Sequence, residues 1–172
     1  KLDEMLKGMT LNPDLILFPE MFTTGFLINP EPHAQEMSGE SVSWMLQQAG
    51  KLNASLGGSM IIKENNEFFN RFIFVTPDGD IRHYDKRHLF RMGDEESGYQ
   101  HGSERCIIKY GNWRICPQIC YDLRFPVWSR NRDDYDILVY SANWPEARRD
   151  VWNTLLKARA IENLSYCIGV NR

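Results

Sequence analysis

Three residues able to do chemistry each stand at the end of a stretch that reads as a strand. Glu20 follows LILFP, Lys86 follows IRHYD, and Cys120 closes RICPQI. A carboxylate takes up a proton, an ammonium steadies a growing negative charge, and a thiol attacks carbon once its proton has gone. An unperturbed thiol ionises near pH ~8.5, so a carboxylate and a cation are the two partners it needs. After attack on an amide carbonyl, Lys86 and the backbone N–H of Tyr121 could hold the oxyanion. A helix starting at Asp122 would help the thiolate further.

Each residue also has an ordinary structural use. Cys120 by itself reads as a small core thiol, Glu20 as a solvated or capping carboxylate, and Lys86 in DKRH as a surface charge. No spacing rule joins the three. What joins them is the layered α/β arrangement, in which ligands sit outside the carboxyl ends of strands.

The elements that must position them follow from periodicity. Leu2, Met5, Leu6 and Met9 open the chain at helical spacing, and Val42, Met45, Leu46, Ala49 and Leu52 mark a second helix with Ser38 or Ser41 as N-cap. LILF reads as a strand. GGSMIIK and FFNRFIFV read as strands joined by Glu64-Asn65-Asn66-Glu67, and IRHYDK follows a Pro77-Asp78-Gly79-Asp80 turn. Residues 91–104, polar and glycine-rich, read as a long surface loop. RCIIKY, WRICPQIC and DILVYSAN are further strands. Val151, Leu155, Ala158 and Ile161 mark a helix, and YCIGV a last strand. Strands interleaved with helices predict an α/β layered domain.

The totals exclude several classes. The chain has 172 residues, is 42% hydrophobic and 25% charged, and carries a formal net charge of -3. It has no broad basic footprint for nucleic acid, no apolar run of membrane-spanning length and no signal-peptide pattern. Its four cysteines form no CxxC pair, and its histidines do not fall at zinc spacing beside them, so no metal is expected. Cys116 and Cys120 would lie ~13 Å apart along one strand, too far for a disulfide. Reduced thiols predict a cytoplasmic protein. One domain over residues 1–172 is expected, apparently cut at both ends: Lys1 opens inside a helical pattern, and SYCIGVNR reads as a final strand.

Three blocks, FPEMFTTGF, YDKRHLF and ICYDLRFP, together with ANWPEARRDVWNTLLKARAIENLSYCIGVNR, resemble the catalytic blocks and following segment of the nitrilase-like carbon–nitrogen hydrolases, in the family's order. ICYDLRFPVWSRN and SANWP are most similar to the ω-amidase-like branch. The resemblance implies an α-β-β-α sandwich and hydrolysis of the terminal amide of a small ω-amido acid, with no cofactor and a homodimer. It implies Glu20 as general base, Lys86 as oxyanion stabiliser and Cys120 as nucleophile. A second glutamate is expected in the loop after the lysine. Glu95 is preferred to Glu96 by its seven-residue offset to Gly102. Phe26, Asn143 and Trp144 match positions near the family pocket. Arg124 either meets a substrate carboxylate or pairs with Asp122. The family's first strand and C-terminal part are missing from the resemblance, which would leave sheet edges unpaired.

Other readings use the same residues. A carbamoylase, nitrilase or acyltransferase would share the site. Cys120 could instead pair with His88 or His83, as in thiol proteases. A binding protein on a decayed scaffold completes the alternatives, with a thiol redox sensor, which needs a resolving cysteine close to Cys120 where Cys116 is badly placed.

Overall fold

Alternating side chains in two long strands decide which surfaces face each other. The computed structural model describes residues 2–8 and 10–172; Lys1 and Met9, both part of the expected opening helix, lie outside the described residues. Helix α1 (Leu2–Lys7) leads to the first sheet, built from β1 (Leu15–Leu17), β2 (Ser55–Glu64), β3 (Glu67–Val75) and β4 (Ile81–Asp85) in that spatial order. β1 runs parallel to β2, and the others are antiparallel. Asn65 and Asn66 both take positive φ, 51° and 64°, as a tight two-residue hairpin between β2 and β3 requires.

Leu56, Met60 and Ile62 of β2, with Ile73 and Val75 of β3, face helix α2 (Glu40–Leu52) through Val42, Met45 and Ala49. Phe72 and Phe74, on the opposite parity, face the second sheet. Burying each such side chain contributes about 1.5–3 kcal/mol. The second sheet is β5 (Ile108–Tyr110), β6 (Trp113–Ile119), β7 (Ile137–Ala142) and β8 (Tyr166–Asn171) in that order, with β6, β7 and β8 parallel. Short α3 (Pro126–Ser129) lies between β6 and β7. Helix α4 (Arg149–Asn163) is the crossover from β7 to β8 that parallel strands need. It covers the outer face of the sheet through Trp152, Leu155 and Leu156. Gly169 lets it approach: a Cβ there would lie 2.6 Å from both Trp152 and Leu156. The layers therefore run α2, sheet, sheet, α4, the expected α-β-β-α sandwich. β8 is an edge strand with Tyr166 and Ile168 exposed.

Three expectations need correction. Helix α2 is not capped by Ser38 or Ser41. Gly39 is its N-cap, and the Ser41 N–H donates to Gln35 Oε1 at 2.9 Å, so an upstream side chain serves the free N–H. Val151 and Ile161 of α4 face solvent; its buried stripe is Trp152, Arg159 and Asn163. Two of those are polar, which hid the face from a hydrophobic count. Arg159 donates from Nη2 to Leu123 O at 2.6 Å, tying α4 to the turn after β6. Residues 91–104 are not wholly at the surface: two 3-10 turns, Arg91–Gly93 and Glu95–Ser97, fold the segment so that Glu95 and Tyr99 are buried. No helix among the described residues is long and apolar enough to cross a membrane.

Candidate active site

The first strand end delivers a carboxylate between the sheets. Beyond β1, Ser141 Oγ donates to Phe18 O at 2.9 Å and the Glu20 N–H to Ala142 O at 3.3 Å, so the exit is fastened to the end of β7 in the opposite sheet. Met21 then turns with φ 46°, its N–H donating to Ser59 Oγ at 2.9 Å. Glu20 is left fully buried.

The second end delivers an ammonium. The Lys86 N–H donates to Asn70 O at 3.0 Å, and the Gly102 N–H donates to Lys86 O at 2.9 Å. Only glycine fits at 102, because a Cβ there would fall 2.0 Å from Asp85 O. Lys86 Nζ lies 2.7 Å from Glu20 Oε1 and 2.8 Å from Glu95 Oε2, with its side chain out of solvent. Glu95 is fixed further by the Phe90 N–H, 2.6 Å from Oε2. Glu96 instead faces solvent and pairs with Arg91 at 3.5 Å, so Glu95 is the glutamate that enters the site.

The third end delivers the thiol, and it does so by breaking the strand's alternation. Ile119 shares its face with Ser141 across the parallel register, which leaves Cys116 and Gln118 on the other face. Continued alternation would have put Cys120 with them. Cys120 instead takes φ 42°, a left-handed conformation costing roughly 1–2 kcal/mol for an L residue. The turn begins at Cys120 and not at Asp122: a 3-10 helix spans Cys120–Arg124. The Tyr121 N–H lies in its first turn, where no intrahelical carbonyl can serve it.

Asp122 holds this turn against the lysine loop. Its carboxylate accepts from Tyr84 Oη at 2.8 Å, the Ile119 N–H at 3.0 Å, the His88 N–H at 2.9 Å and His88 Nδ1 at 2.7 Å. The His88 ring is stacked on Phe125, 3.8 Å between centroids. His88 is thus committed to Asp122, and His83 lies on β4 opposite Ile73. The described lining of the cavity around Cys120 contains no histidine, which removes the thiol–histidine pairing.

Sequence reasoning missed Asn70. Its Nδ2 donates to Glu20 Oε1 at 2.9 Å and to Glu95 Oε1 at 3.0 Å, while its Oδ1 accepts from Ser59 Oγ at 2.9 Å. The signal was present: a lone polar residue on the Phe72–Phe74 face of an apolar strand.

Burial pushes the Cys120 thiol well above its usual range, and the Glu20 carboxylate adds to this; Lys86 and the Asn143 N–H pull it back only in part. The resting nucleophile is therefore a thiol beside a base, not a preformed thiolate. Burial opposes the charge on Lys86, but the Glu20 and Glu95 carboxylates outweigh it and hold the ammonium above its ordinary range. The Asn143 N–H also donates to Glu20 Oε2 at 3.0 Å.

The cavity is about 250 Å³, smaller than the roughly 300–1,000 Å³ of drug-sized sites, so it suits a small molecule. Phe26, Tyr121, Arg124, Asn143 and Trp144 all line it with Glu20, Lys86 and Cys120. The Phe26 ring centroid is 5.8 Å from Lys86 Nζ. Arg124 does not pair with Asp122, whose oxygens are taken; its guanidinium lies 5.1 Å from the Trp144 ring centroid.

The sequence model of the carbon-nitrogen hydrolases matches residues 1–172. The chain belongs to the carbon–nitrogen hydrolase family. An ω-amidase, YafV, of Yersinia enterocolitica is 49% identical over 98% of this chain and 66% of its own length. A 2-oxoglutaramate amidase of Bacillus subtilis is 32% identical over 99% of this chain and 68% of its own. A solved carbon–nitrogen hydrolase superfamily protein from Xanthomonas campestris, carrying an arsenic adduct in its active site, superposes with a TM-score of 0.95 at 45% identity, over 99% of this chain and 68% of that one. The chain thus spans about two thirds of the length of the carbon–nitrogen hydrolases it matches, 66% for the Yersinia relative.

Proposed function

We propose that the protein hydrolyses the terminal amide of a small ω-amido acid, with keto acids such as 2-oxoglutaramate as the leading class, and releases ammonia through a thioester on Cys120. One observation carries this reading: Lys86 Nζ is held between Glu20 and Glu95, at 2.7 and 2.8 Å, in the cavity that Cys120 enters. The names of the Yersinia and Bacillus relatives support the substrate class.

In the first half-reaction Glu20 takes the thiol proton as Sγ attacks the amide carbon. Lys86 Nζ and the Tyr121 N–H hold the oxyanion; removing one such donor typically costs about 3–4 kcal/mol. Glu95 fixes Lys86 and orients the substrate amide. As the tetrahedral adduct collapses, Glu20 gives its proton to the departing nitrogen, and the C–N bond breaks to leave ammonia and a thioester. In the second half Glu20 takes a proton from water, the water oxygen attacks the thioester carbon, and the thiolate leaves with that proton. The sum is amide plus water to carboxylic acid plus ammonia, with no cofactor. Phe26, Asn143 and Trp144 contact the substrate, and Arg124 meets its carboxylate.

Glu20→Gln in the full-length protein should lower kcat by about 10²–10⁴-fold, the usual worth of a general base, measured as ammonia release from succinamate. Retained turnover would sink the assignment. A nitrile and an N-carbamoyl acid in the same assay separate amidase from its sister reactions. We further place the enzyme in the cytoplasm as a homodimer that pairs through a helical face. Its four cysteines are unpaired, and cell fractionation and sedimentation equilibrium test the two statements.

A further inference from the structure

The formal charges around Cys120 set a problem for an acidic substrate. Glu20 and Glu95 contribute two negative charges and Lys86 one positive, all buried and in contact. A substrate that brings a carboxylate into the same small cavity meets a net negative cluster. One cation at the cavity wall would only cancel that excess; attraction needs a second.

The structure supplies two. Arg124 and Arg148 both line the cavity, and among the described residues neither has a carboxylate partner. This contrasts with the neighbouring Arg149, which pairs with Glu146 at 2.8 Å. Both guanidiniums lie over aromatic rings: Arg124 is 5.1 Å from the Trp144 centroid, and Arg148 is 5.8 Å from the Phe90 centroid. A guanidinium supported on its flat face keeps edge N–H groups for a carboxylate. The backbone of Arg148 is also fixed. Its N–H donates to Pro145 O at 2.9 Å, and its carbonyl accepts from Trp144 Nε1 at 2.9 Å. Trp144 therefore supports Arg124 with its ring and holds the Arg148 turn with its N–H.

We infer that Arg148 is a specificity residue that, with Arg124, receives the remote carboxylate of the substrate and so selects half-amides of dicarboxylic acids over neutral amides. This rests on the amidase reading above and adds to it the residue that discriminates. Arg148 touches no reacting atom; its contribution is to which amide is held, and hence to KM more than to kcat.

The test uses the full-length protein with Arg148→Leu and, should leucine disturb the turn, Arg148→Gln. Two primary amides of equal chain length are compared: succinamate, which carries a carboxylate, and butyramide, which does not. The ratio of their kcat/KM values should fall by about tenfold to a hundredfold in either variant, the loss of a charge-assisted contact, and most of the fall should be in the KM for succinamate. An unchanged ratio overturns the inference, including the case in which both substrates lose activity together, since that is what a merely structural role gives. A second arm needs no turnover. Succinate should protect Cys120 of the native protein from iodoacetamide, and the half-protecting concentration should rise by a similar factor in the variants. If the native protein hydrolyses neither amide, the amidase reading fails, and the protection arm alone decides the role of Arg148: weakened protection upholds it, equal protection overturns it.

Discussion

The thiol at Cys120 is the residue on which the chemistry turns, and its surroundings decide when it reacts. Burial and Glu20 hold it in the neutral form, with its ionisation well above the ordinary range. Alkylation of free protein by iodoacetamide should therefore rise steadily from pH 6.5 to beyond pH 9 with no plateau near neutrality. A plateau below pH 7 at Cys120, read by site-resolved mass spectrometry, would mean a thiolate paired with Lys86 at rest, and Glu20 would then have no proton to accept in the first step. The sequence made Glu20, Lys86 and Cys120 visible because each follows or closes a strand-like stretch in a recognisable block. Asn70 and Arg148 escaped because their meaning lies in what they face. Asn70 is one of several polar residues in the chain until β3 points it at two carboxylates, and Arg148 is one of two adjacent arginines at the start of α4.

At the scale of elements, the site depends on two segments far apart in sequence being held in register: the exit of β4 and the turn after β6. Asp122 does this with a carboxylate that accepts four hydrogen bonds, from Tyr84, Ile119 and, twice, His88. Asn at 122 would keep one acceptor oxygen and point an amide N–H₂ at donors. Asp122→Asn should destabilise the protein by about 2–5 kcal/mol, counting one or two buried donors left without acceptors, as read by urea unfolding. Hydrogen exchange should quicken in residues 84–90 and 119–124 together. Quickening in one segment only would show that Asp122 does not join them. The strands and helices themselves were largely legible, since strand alternation and turn residues such as Asn65-Asn66 obey local rules. The segment 91–104 was not. Its polar composition describes its outer side, while the inward turn that buries Glu95 is imposed by a lysine on another element.

For the whole molecule, buried thiols at the second sheet, Cys116 and Cys167 on its α4-covered face and Cys120 at the cavity, set a dependence on pH that no single element shows. Burial pushes the Cys116 thiol up to about 11 and the Cys167 thiol up to about 12, and Cys120 is also raised. In the unfolded chain these thiols ionise near pH ~8.5. Above that pH the unfolded state sheds protons that the folded state keeps, so stability is full below about pH 8.5 and declines as pH climbs toward the folded values. Urea midpoints should drop between pH 8 and pH 10.5, and Cys116→Ala should flatten the decline; an unchanged midpoint across that range would count against neutral buried thiols. The pairing of two four-stranded sheets could not be read from periodicity, because alternation says which residues are buried but not which sheet buries them. The family resemblance supplied that arrangement.

The chain of hydrogen bonds from the Met21 N–H through Ser59 and Asn70 to Glu20 and Glu95 has one further consequence. Every member both satisfies a neighbour and is satisfied by one, so no link can be exchanged alone without orphaning the next. Drift at these positions is therefore blocked one step at a time, and a lineage leaving this arrangement must replace several links at once or pass through damaged intermediates. Arg124 and Arg148, held by ring contacts and backbone alone, carry no such chain. Selection for a new amide would find the cavity wall free to vary long before it could alter the catalytic floor.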